Sequence, residues 1–68
     1  MSANSEHVVE TGGYVLRWVQ SGCCLARVFV SKEGRDLGQL CYPMTSNGLE
    51  HTAAANESRV LLLAKDWR

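Results

Sequence analysis

Three apolar-rich runs, Tyr14 to Gln20, Cys23 to Ser31 and Leu37 to Tyr42, follow one another with only short polar or glycine-containing breaks between them, and each carries apolar side chains on both of its alternating faces. Period-two alternation reads as strand, and breaks this short make consecutive strands antiparallel neighbours, so the pattern is a β-meander. A sheet that is apolar on both sides must be covered on both. With 68 residues in all, little chain remains for that task. A chain of this size buries only about 60% of its unfolded surface and sits near the lower limit for independent folding.

The breaks predict the register. Val8 and Val9 mark a short edge strand between Glu6 and Thr11, and Gly12-Gly13 supplies the positive φ of a tight turn into Tyr14. A two-residue loop at Ser21-Gly22 sets Val19 against Cys24, Arg17 against Ala26 and Val15 against Val28 on one face. The other face then pairs Trp18 with Leu25, Leu16 with Arg27 and Tyr14 with Phe29. The polar segment Lys32 to Asp36 forms the third break, opposing Ser31 to Leu37. Leu40 and Tyr42 thereby join the first, aliphatic face, and Leu37, Gln39 and Cys41 join the second.

Pro43 suits the end of a strand, and Thr45 to Gly48 reads as a loop entering a helix. Asn47 with Glu50 three residues on has the form of a capping box, and Ala53-Ala54-Ala55 favours helix. Leu49, Ala53, Val60, Leu63 and Trp67 fall on one helical stripe, interrupted by Asn56. The competing reading stops the helix near Asn56 and makes Arg59 to Ala64 a fifth strand of a small SH3-like β-barrel. The expected fold is α+β: a three- or four-stranded antiparallel meander with one C-terminal helix, forming a single domain over residues 6–68 behind a disordered tail at residues 1–5.

A helix on the aliphatic face leaves the aromatic face to water, a patch larger than soluble monomers usually expose. The partner-binding residues expected from this are Tyr14, Leu16, Trp18, Leu25, Arg27 and Phe29, with the aromatic residues as anchors and Arg27 as the orienting group. A twofold contact needs only one self-complementary patch, so a homodimer is the simplest occupant.

Composition narrows the function classes. Apolar residues make up 46% and charged residues 21% of the chain, which separates it from disordered sequences. Seven basic residues balance seven acidic ones, so no global field draws in a nucleic acid or an anionic membrane. Residues 1–10 lack the pattern of a secretory signal, and the aliphatic run Val60 to Ala64 is too short to span a bilayer. Three cysteines, two of them adjacent, make no secreted disulfide framework and read as reduced cytoplasmic thiols.

Metal ligation by Cys23, Cys24, Cys41, His7 and His51 lacks Cys-x-x-Cys or His-x-x-x-His spacing, and a Cys41–His51 nucleophile pair has no local support. The expectation is therefore a non-enzymatic protein-interaction module without cofactor or small-molecule substrate, in the role of a small regulator or inhibitor of a larger bacterial or phage complex. The alternative from another class is a single-stranded nucleic-acid binder that uses the same aromatic residues for stacking and arginines for phosphate.

Overall fold

Gly12 and Gly13 both take positive φ, 58° and 88°, the geometry of a two-residue hairpin turn whose twist matches its flanking strands. The turn folds β1 (Glu6–Thr11) back on β2 (Tyr14–Ser21), with Thr11 opposite Tyr14 and Glu6 opposite Val19. The structure, a computed structural model, describes residues 6–67. The tail expected at residues 1–5 lies outside the described residues, as does Arg68.

The second break departs from expectation. It is a three-residue loop, Gly22-Cys23-Cys24, so β3 (Leu25–Lys32) starts with Leu25 opposite Ser21. Trp18 therefore faces Val28 rather than Leu25, and Leu16 faces Val30 rather than Arg27. The slip is three residues. Because side chains alternate with a period of two, an odd slip moves every β3 residue to the opposite face relative to β2.

The third break closes more tightly than expected, through Glu33-Gly34, with Lys32 opposite Arg35 at the start of β4 (Arg35–Pro43). A bulge then restores the expected pairing: Ser31 meets Asp36, Val30 meets Gly38, and Leu37 is left as the extra residue. Beyond it Val28 opposes Leu40 and Ala26 opposes Tyr42, as the sequence implied. The four strands form one open antiparallel sheet in the order β1-β2-β3-β4.

The chain then enters α1 (Leu49–Ala64), a single helix that includes the Arg59 to Ala64 segment. Its start is not the expected capping box: Gly48 occupies the cap position without a side-chain bond. The first turn is instead secured by Thr52, whose hydroxyl donates to the Gly48 carbonyl at 2.8 Å and accepts the Thr45 backbone N–H at 2.9 Å. Thr52 is fully buried. Asn56, read from sequence as an interruption, is also buried and donates from Nδ2 to the Thr52 carbonyl at 2.9 Å. Leu63, expected on the buried stripe, is 46% exposed, and Ala64 takes its place in the core.

The core joins Leu16, Trp18, Ala26, Val28 and Val30 of the sheet to Ala53, Val60 and Ala64 of α1. The pairing is one of volume: the largest buried side chain, Trp18, lies on the side of the sheet covered by a helix whose buried positions are small. Close packing requires that match, because a bulky helix stripe over a buried indole would hold the two layers apart. Tyr42 packs beside Trp18, with ring centroids 6.0 Å apart and planes tilted by 39°. Past the helix, the Lys65 N–H bonds the Leu61 carbonyl and the Trp67 N–H bonds the Ala64 carbonyl. This last turn lays the Trp67 ring over Gly38, where a Cβ would stand only 3.1 Å from the ring. Gly38 is thus the gap in β4 that admits the indole.

Candidate interaction surface

The face of the sheet opposite α1 is assembled by alternation alone. On β2 it presents Val15, Arg17 and Val19; on β3, Leu25, Arg27 and Phe29; on β1, Glu6, Val8 and Glu10; and on β4, Gln39 and Cys41. Burial follows the same alternation: along β3, Ala26, Val28 and Val30 are buried, while Leu25 is 45% and Phe29 36% exposed. Val8 on the edge strand is 50% exposed. None of the five elements covers this face.

Arg17 organises its centre. The guanidinium lies 5.7 Å from the centroid of the Phe29 ring directly across the β2–β3 ladder, within the range of a cation–π contact. Its Nε also meets Oε2 of Glu6 at 2.7 Å, with both side chains more than half exposed. An ion pair this solvated contributes about 0–1 kcal/mol. Its effect is positional, holding the guanidinium near the ring. Beside Arg17 and Phe29, an open depression reaches β4 at Asp36 and Gln39. Arg27 sits one row away, between Val19 and Cys41.

The six residues expected to form one partner surface are divided between the two faces. Leu25, Arg27 and Phe29 lie on the open face. Leu16 and Trp18 are fully buried beneath α1, and Tyr14 is half-buried against the same core with Lys32 Nζ 4.7 Å from its ring centroid. The reason is the extra residue in the second loop, which turns the β2 aromatics inward and the β3 aromatic outward. Val8, Val15, Arg17 and Val19 belong to the open face and were not anticipated there. The signal was present in β2 itself. An inward set of Val15, Arg17 and Val19 would place an arginine under a helix made largely of alanine and leucine, a desolvation cost that the set Leu16 and Trp18 avoids.

Other candidate chemistry is dispersed. Cys41 stands on the open face, whereas His51 is exposed on α1, so the sheet separates them. Among the described residues, no group of three or more His, Cys, Asp and Glu side chains converges as a metal site would require, and no helix is long and apolar enough to cross a membrane. Cys23, Cys24 and Cys41 are free and exposed. Comparison with protein families, with curated proteins and with solved structures finds no match to this chain.

Proposed function

We propose that the protein is a non-enzymatic interaction module that binds protein through the open face of its sheet, a second copy of itself being the first partner. The observation that carries this reading is the uncovered patch of Val8, Leu25 and Phe29 around the Arg17–Phe29 contact. Exposed aromatic and arginine side chains set in an apolar field are the residue types that dominate protein contacts. The charge pattern favours protein over nucleic acid. Arg17 and Arg27 share the face with Glu6, Glu10 and Asp36, and one arginine already has an acidic partner, so the face lacks a basic footprint. Its mixture of signs suits a twofold contact, in which arginines of one copy approach acids of the other. Free exposed thiols accord with a reducing, cytoplasmic setting, in which a small regulator of a larger assembly would act.

Sedimentation velocity of the reduced protein over a concentration series tests the reading. A dimer is expected, and Phe29→Glu combined with Leu25→Glu is expected to weaken it about thirtyfold or more, the effect of losing a hot spot near 2 kcal/mol. The far-UV circular dichroism should be unchanged, because both side chains are solvent-exposed. A wild-type monomer at every concentration, or a dimer indifferent to both substitutions, defeats the self-association. The exposed Arg17–Phe29 cation–π contact supports the second reading, base stacking on a single strand. Salt-sensitive anisotropy of a labelled oligonucleotide, lost in Phe29→Ala, would favour it instead.

A further inference from the structure

The loop that sets the β2–β3 register is itself made of reactive groups: Cys23 and Cys24 are adjacent, both exposed and both free at the tip of the hairpin. Along a strand, neighbouring side chains point to opposite faces; these two occupy a turn between Ser21 and Leu25 instead, where strict alternation does not hold them apart. The Cys24 carbonyl is anchored by the Met44 N–H at 2.8 Å, which fixes one end of the pair to the chain leaving β4. The geometry points to a vicinal dithiol site that takes a thiophilic centre with two vacant sulfur positions, a trivalent organoarsenical being the ligand class that fits. Two sulfurs with no third His, Cys, Asp or Glu gathered beside them among the described residues do not make the four-ligand shell of zinc. They suit soft centres that bind thiol sulfur in preference to nitrogen or oxygen.

With an arsenoxide the chemistry balances without an oxidant. Two As–S bonds form, the bonds from arsenic to its oxygen break, and the two thiol protons leave with that oxygen as one water. The first bond makes the second intramolecular, so the second sulfur acts at an effective concentration on the order of millimolar. The neighbouring Cys23 side chain, and secondarily local desolvation, push the Cys24 thiol up from its ordinary value.

Phenylarsine oxide is the probe, added to the reduced 68-residue chain and followed by intact mass. A one-to-one adduct lacking one water is expected, retained against glutathione up to about millimolar concentration, the scale set by the intramolecular second bond. Cys23→Ala and Cys24→Ala should each release the arsenical at glutathione roughly tenfold lower or more, whereas Cys41→Ala should match the wild type. An adduct that survives both single substitutions, that requires Cys41, or that glutathione strips from wild type as readily as from Cys23→Ala overturns the assignment. Equal retention in concentrated guanidinium would show that the turn contributes nothing and would overturn it as a site made by the fold. Circular dichroism verifies that each variant is folded, which is expected for exposed loop positions.

Discussion

Trp18 carries the largest fully buried side chain, and its Nε1 is a buried polar atom without a hydrogen-bond partner. The two facts pull in opposite directions. Burial of the ring stabilises the fold, while the orphaned N–H forfeits about 1–3 kcal/mol of desolvation. Trp18→Ala is therefore expected to cost about 3–5 kcal/mol, enough to unfold much of a domain whose total stability, at this length, is about 3–10 kcal/mol. Trp18→Phe should cost far less, because the unpaired donor leaves together with the lost area. Urea titration of both variants measures the difference, and equal losses would mean that Nε1 is satisfied in solution. Glu33 is the second residue with a built-in cost: at φ 53° it holds a left-handed conformation that asparagine and glycine tolerate better. Glu33→Asn creates the Asn-Gly pair favoured in such turns and should stabilise the domain by about 0.5–1 kcal/mol, read as a rise in the urea midpoint at constant slope.

Among the elements, α1 depends least on its own sequence signals. Its cap has no side-chain bond, and Leu62 and Leu63 are exposed at 68% and 46%. The Thr45–Thr52 pair holds its first turn to the loop, with the two hydroxyls 3.2 Å apart and the Thr45 N–H donating into Thr52. Thr52→Val keeps the shape but strands that N–H, so a loss of about 1–3 kcal/mol is expected. Amide exchange at Thr45 should accelerate with it; protection unchanged from wild type would show that another acceptor serves there. Strand recognition was more direct: the Gly12-Gly13 pair, β-branched residues and the positions of the breaks placed β1 to β4 correctly in order. The capping box failed because the helix begins one residue later than it requires: Gly48, not Asn47, is the cap, and the Asn47 N–H donates to Thr45 Oγ1 at 3.3 Å in the turn before the helix. The helical stripe failed at Leu63 because a buried surface opposite Trp18 accepts Ala64 in preference to a larger side chain.

At the scale of the whole molecule, one helix covers one side of an open sheet and nothing in the described fold covers the other. A standard interface takes about 800 Å² from each partner, a substantial share of the 4464 Å² accessible surface. Only a whole face can supply it, so association through an edge strand alone would not suffice for a stable dimer. The chain by itself determined the antiparallel meander, the order of its strands, the helix after Pro43 and the existence of an excess apolar face, because these follow from local periodicity and turn chemistry; that Arg59 to Ala64 continues the helix rather than adding a fifth strand was decided by the fold. Arg17 marks which face of β2 stays outside, but which face of β3 joins it was decided only by tertiary packing. Residues 21 to 24 are compatible with a loop of either two or three residues, and the choice between them inverts every side chain of β3 relative to β2. No local preference weighs that choice; it is settled when Leu16 and Trp18 find the small side chains of α1 and leave Arg17, Arg27 and Phe29 to the surface.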